Sequence, residues 1–268
     1  MFLLIFVAAA VGANVYVGSE FPSGWTLAET RYPRSAMEIA PVTFDPAERW
    51  PGCERELTDA TDQGDCGSCW ALAPLLAISA RLCVAGSNAP RPSAWHAISC
   101  RRWCGSCRGG SAACSISEWG ARGYADAIAV PYDTYAVTKK NRSEGFAPTP
   151  RCSAGAEVVS FGPGTFREIR FDPASVAAAV SAEGPCVATI SVYDDLVTWS
   201  SADGPYVRRS GSRFLGGHGV RIIGWDRSAW VIANTWGRGW GANGTFRMPI
   251  GKNECGIESV VRCPNVHL

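Results

Sequence analysis

Twelve cysteines lie among 268 residues, together with 29 glycines and 17 prolines. That combination points to a fold stapled by disulfides and rich in turns, and it argues against the cytosol, where thiols are kept reduced. Hydrophobic residues make up 47% of the chain and the formal net charge is +1. There is apolar material for a full core and no electrostatic bias towards nucleic acid or membrane surfaces. One large domain, or two closely joined subdomains, is expected.

The N-terminal "MFLLIFVAAAVGANVY" has an apolar run from Phe2 to Val11, then small residues that suit signal-peptidase cleavage after Ala13. The run falls short of the roughly 20 apolar residues of a spanning helix, and no later segment is long enough either. We therefore read residues 1–13 as a signal peptide, with no membrane contact after its removal. Residues 14–39, with Pro22, Pro33 and several charges, read as a loosely structured lead-in.

From Ser68 to Val84, "SCWALAPLLAISARLCV" carries Leu72, Leu75, Leu76, Ser79 and Leu82 at helical spacing, predicting a buried amphipathic helix that starts at Cys69. Cysteines and glycines dominate Pro90 to Gly123, suggesting loops and short helices. Strand-like runs follow at Cys186–Tyr193, Gly219–Trp225, Ala229–Ala233 and Gly244–Ile250. The chain thus reads as a helical, disulfide-tied front and a sheet-forming back.

"QGDCGSCW", from Gln63 to Trp70, places Cys66 and Cys69 in a C-x-x-C pair. Three chemistries use that spacing: a redox disulfide, half of a zinc site with Cys104 and Cys107 as the other half, or a structural cysteine beside a nucleophile. The surroundings favour the third. Cys69 at a helix N-terminus meets free N–H groups and a dipole that favour a thiolate, and Gln63 is near enough to bring its amide to that sulfur. Of three histidines, His96 reads as a surface or packing residue on a helix, and His267 is penultimate. His218 sits in "LGGHGVRIIGWD", ahead of a strand that turns at Asp226–Ser228 and returns as "AWVIANTW". Constant-sum pairing about Asp226 sets Asn234 opposite His218. Nucleophile, base and ring orienter are then Cys69, His218 and Asn234, with Gln63 and the Cys69 N–H as oxyanion donors.

"DQGDCGSCWAL", "GGHGVRIIGW", "ANTWGRGWGANGTF" and "CGIES" resemble the papain family of cysteine peptidases, in particular its cathepsin B-like branch, over about Ala40 to Val261. The resemblance implies an α+β, papain-like fold: a left helical subdomain (about 53–150) and a right β-barrel-like subdomain (about 155–262), with the cleft between them. It implies a propeptide at 14–39 and a peptidase domain at 40–268. Carried onto this chain, it makes Cys69, His218, Asn234 and Gln63 catalytic, and Gly109, Gly110, Gly217, Trp236, Trp240 and Val260 substrate-binding. It pairs Cys66 with Cys107, Cys53 with Cys83 and Cys100 with Cys152; Cys104 with Cys114 is a guess from the remainder. At least one of Cys186, Cys255 and Cys263 stays unpaired. No cofactor or metal is implied. The implied partners are protein or peptide substrates and cystatin-like inhibitors, the state a monomer, and the location the secretory pathway, in a lysosome-like vesicle or outside the cell.

The chain also departs from the branch pattern. Tyr124 to Cys152, where the branch carries a histidine-bearing occluding loop, is short and has no histidine, so an endopeptidase is expected. Val260 stands where the branch often has an S2 glutamate, which predicts an apolar P2 preference. Pro74 lies inside the nucleophile helix and is expected to kink it or displace Cys69. The propeptide is short, although Trp25 in "SGWTLAETRY" stands where it could plug the cleft. Asn141 and Asn243 head glycosylation sequons, and Asn141 is the favoured one. Two other readings remain: a non-catalytic binding protein on the same fold, and a disulfide exchanger using Cys66 and Cys69.

Overall fold

The computed structural model describes residues 43–138, 150–152, 158–159 and 165–266. The expected signal peptide at residues 1–13, the expected propeptide at 14–39 with Trp25, Asn141 and His267 lie outside the described residues. Among the described residues there are eleven strands: β1 (Thr43–Phe44), β2 (Gly105–Ser106), β3 (Gly109–Gly110), β4 (Tyr124–Ala125), β5 (Val158–Val159), β6 (Phe166–Ile169), β7 (Cys186–Tyr193), β8 (Phe214–Asp226), β9 (Ala229–Ala233), β10 (Thr245–Pro249) and β11 (Val261–Pro264). The four longest helices are α1 (Cys69–Val84), α2 (Ala94–Cys100), α3 (Ala112–Arg122) and α4 (Pro173–Glu183).

Helix α1 begins at Cys69, with Ser68 as its N-cap residue. It is not amphipathic: Trp70, Leu72, Ala73, Leu75, Ala77, Ile78 and Ala80 are all buried. The reason is tertiary. On one side α1 packs against β7, β8 and β11, and on the other against α2 and α3, so no face is left for water. Pro74 removes one i→i−4 bond, but the helix runs through it as a single element to Val84.

The sheet half is a seven-stranded antiparallel sheet in the order β10-β9-β8-β7-β11-β6, with β1 added onto β8. The N-terminal strand therefore belongs to this half, although the front of the chain reads as helical. Its core holds Val220, Ile222, Trp230, Ile232, Phe246 and Val261; the helical half packs around Trp70, Leu72, Leu75, Ile98, Ile116 and Trp119. Strand β8 starts at Phe214, earlier than the sequence suggests, so His218 lies within a strand rather than before one.

Five disulfides close the fold: Cys53–Cys83, Cys66–Cys107, Cys100–Cys152, Cys104–Cys114 and Cys186–Cys263. Cys69 and Cys255 are free and buried. At the far end of α1, Arg81 is 1% exposed; its guanidinium donates to the carbonyls of Pro185 (2.9 Å), Pro264 (2.7 Å) and Gly184 (3.2 Å) and pairs with Glu183 at 2.8 Å. The nucleophile-bearing helix is thereby pinned to the ends of β7 and β11.

Candidate active site

Cys69 opens α1, and Gly219 of β8 lies against it. A Cβ on Gly219 would fall 3.1 Å from the Cys69 carbonyl oxygen, so the missing side chain lets the strand approach the helix start. Burial is the dominant influence on the sulfur and pushes the thiol up to about 11, against the backbone N–H groups of Gly219, Trp70 and Cys69, which favour the thiolate. The helix start does donate to the sulfur, but desolvation outweighs it.

His218 is also fully buried, and desolvation holds its imidazole down to about 4, against its hydrogen bond to Asn234, which favours the charged form. Nε2 lies 2.7 Å from Asn234 Oδ1, which also accepts the backbone N–H of Thr235 at 2.8 Å. An oxygen facing two neighbours can only accept, so Nε2 carries the proton and Nδ1 carries the lone pair. Nδ1 has no hydrogen-bond partner, and the next residue, Gly219, touches Cys69. Trp236 stacks on the imidazole at 4.8 Å and 29°. Trp240 meets Trp236 edge-on at 4.9 Å and donates to Val197 O at 3.0 Å.

The hairpin register differs from the constant-sum expectation. Asp226 pairs with Ala229 and Arg221 with Ala233, with a bulge between Ile222 and Gly224. Gly224 lies against β1, where a Cβ would meet Phe44 O at 2.4 Å. Asn234 is thus not the cross-strand partner of His218. It lies one residue beyond the end of β9 and reaches back to the ring.

Gln63 is buried, and its amide is oriented at both ends. Oε1 accepts from Thr235 Oγ1 at 2.6 Å, and Nε2 donates to Cys66 O at 3.0 Å. One Nε2 hydrogen remains for another acceptor. The Cys66–Cys107 bridge anchors this turn, and Gly67 N donates to Cys107 O at 2.7 Å. Tyr132, whose hydroxyl donates to Gln63 O at 2.9 Å, and Thr235 join the site without having been expected from the sequence. Thr235 could have been suspected from its place beside Asn234, whereas nothing local marks Tyr132.

Gly109 and Gly110 form β3, paired with β2 on one edge, with no strand on the other edge among the described residues. Gly110 has a packing reason as well: a Cβ there would fall 2.5 Å from the Trp70 ring. Gly217 lies in β8 opposite Ser191. Val260 is half-buried, just ahead of β11. His96 is buried, and its Nδ1 accepts from Ala125 N at 3.3 Å, which gives it a packing role.

A buried thiol, an oriented imidazole and a fixed carboxamide form an arrangement suited to nucleophilic acyl transfer. Residues 40–265 match the model of the papain family of cysteine proteases. A gut-specific cysteine proteinase of Caenorhabditis elegans is 34% identical over 251 residues, covering 84% of this chain and 73% of that protein. Cathepsin B-like cysteine proteinase 1 of Ostertagia ostertagi is 33% identical over 250 residues, covering 81% and 71%. Among solved structures, proCathepsin B S9 from Trypanosoma congolense superposes with a TM-score of 0.76 at 28% identity, over 98% of this chain and 90% of that one.

Proposed function

Because the chain belongs to the papain family of cysteine proteases, we propose that Cys69, His218, Asn234 and Gln63 carry peptide-bond hydrolysis through an acyl-thioenzyme. Cys69 Sγ attacks the scissile carbonyl carbon as its proton passes to His218 Nδ1. The carbonyl π electrons move onto oxygen, which takes hydrogen bonds from Gln63 Nε2 and the Cys69 N–H. The tetrahedral species collapses, the C–N bond breaks, and the amine leaves with the proton from His218. Water then adds to the thioester with His218 as base, releasing the acid and restoring the thiol. Asn234 keeps the imidazole in the Nε2–H form throughout, and Trp236 keeps water from that bond. The observation that carries this reading is the His218–Asn234 bond at 2.7 Å, which leaves Nδ1 as the free base.

The substrate lies extended along the open edge of β3, taking backbone hydrogen bonds from Gly109 and Gly110, with Gly217 and Trp240 lining the cleft. Tyr124 to Cys152 has no histidine to bind a terminal carboxylate, so cleavage is internal. Val260 lines an S2 pocket that takes Leu, Val or Phe in preference to Arg. The enzyme is made as a monomeric zymogen of the secretory pathway and is open to cystatin-like inhibitors; the five disulfides fit an oxidising compartment.

A thiol-reactive epoxide probe tests the core of the reading. Labelling at Cys69 that disappears in His218→Ala is expected, whereas a chain inert to the probe would be a binding protein on this fold. Release of C-terminal dipeptides from short peptides would contradict internal cleavage.

A further inference from the structure

Arg221 lies on β8, three residues past His218, and is fully buried. Its Nη1 donates to the carbonyl of Glu56 at 3.1 Å and its Nη2 to that of Asp59. A strand of the sheet half thus grips the segment of the helical half that leads into Gln63. A buried guanidinium is costly unless its hydrogen bonds offset the lost water, and here Nε has no partner. Burial lowers this group to about 10, against the favourable charge of Asp59, and it stays cationic at neutral pH. If the strand needed only a core filler at this position, an apolar side chain would serve with less penalty.

Tyr132 holds the other end of the same segment. Its hydroxyl donates to Gln63 O at 2.9 Å and accepts from Ser68 Oγ at 2.6 Å, and Ser68 precedes Cys69. The ring is fixed edge-on against Trp95 at 5.6 Å. Gln63 N donates to Thr235 O at 2.9 Å, next to Asn234.

The proposed base and oxyanion donor sit on opposite halves of the molecule, so their relative placement depends on contacts that cross the interface. Gly219 sets the sulfur against β8. Arg221, two residues further on, sets the oxyanion segment against the same strand. We propose that Arg221 and Tyr132 are positioning residues that register Gln63 against Cys69 and His218. This inference rests on the oxyanion role proposed for Gln63.

The test compares two reactions of Cys69 in Arg221→Lys and Tyr132→Phe. Hydrolysis of an internally quenched peptide passes through an oxyanion. Alkylation by iodoacetamide does not, because sulfur displaces iodide from a saturated carbon. Hydrolysis should fall by about tenfold, short of the ~10²–10³ for outright loss of a donor, while the alkylation rate and its pH profile stay unchanged. In a Gln63→Ala background Arg221→Lys should add little further loss. Undiminished hydrolysis in the single variants, parallel loss of both reactions, or full additivity with Gln63→Ala overturns the proposal. If Gln63→Ala itself leaves hydrolysis intact, it is the oxyanion assignment that fails. Should Arg221→Lys not fold, Tyr132→Phe removes one oxygen from a ring that stays packed, and it carries the same readouts.

Discussion

His218 Nε2 and Asn234 Oδ1 are 2.7 Å apart, yet the two residues are not paired across their hairpin. The bulge between Ile222 and Gly224 moves the register, and Asn234 completes the contact from beyond the end of β9, where its own N–H is held by Gly244 O at 2.9 Å. The ring is fixed by a residue just past the strand end, whose backbone is held by Gly244 while its side chain reaches His218.

Removing that contact should disable the base while leaving the fold intact. A hydrogen bond to a group that becomes charged contributes about 1.5–3 kcal/mol, so Asn234→Ala should lower kcat/KM by about 10–100-fold. Steady-state assay alongside circular dichroism checks this; a variant with parental kcat/KM would show that the ring needs no orienter.

The pH dependence of alkylation should reveal the pairing of sulfur and imidazole. Burial, set against the backbone N–H groups of Gly219, Trp70 and Cys69, puts the thiol at about 11. In His218→Ala the thiolate must form unaided, so the iodoacetamide rate should be very low at pH 6 and climb about tenfold per pH unit towards pH 10. The parent enzyme should react readily at acid to neutral pH, because the proton moves to Nδ1. A retained low-pH plateau in His218→Ala would refute the pairing.

Specificity should respond to Val260. Filling an apolar pocket with a Leu side chain contributes about 1.5–3 kcal/mol, and a carboxylate there would favour a cation instead. Val260→Glu should raise cleavage of peptides with Arg at P2 relative to those with Leu at P2 in a peptide-library profile. An unchanged ratio would place the pocket floor elsewhere.

Stability should depend on the clasp at the far end of α1. Arg81→Ala leaves the carbonyls of Gly184, Pro185 and Pro264 without their donor, and each orphaned buried acceptor costs about 1–3 kcal/mol. A loss of about 3 kcal/mol or more is expected, read as a fall in Tm or in the urea midpoint. A change under about 1 kcal/mol would mean that water replaces the guanidinium without penalty.

Sequence patterns located some elements closely. The helix read as starting at Cys69 spans Cys69–Val84, and the strand runs at Cys186–Tyr193 and Ala229–Ala233 coincide with β7 and β9. These segments are long or strongly apolar, so local periodicity suffices. The short strands β1, β6 and β11 carry little pattern of their own and form by pairing with β8, β11 and β7 in turn. Helix α4 was not read at all; it is Ala- and Val-rich and follows Asp172, whose side chain caps it by accepting from Ser175 N at 3.1 Å.

By itself the sequence determined that a cysteine begins a helix, that a histidine and an asparagine share one hairpin, and that an oxidising compartment suits so many thiols. Helix starts, hairpins and composition are local properties, readable from spacing. Tertiary structure alone decided that Cys186 joins Cys263 while Cys255 stays free, that burial works against the thiolate at Cys69, and that Arg221 and Tyr132 converge on the segment carrying Gln63. Desolvation and the meeting of a side chain with carbonyls some 160 residues away arise only when the two halves close on each other, and no spacing along the chain encodes them.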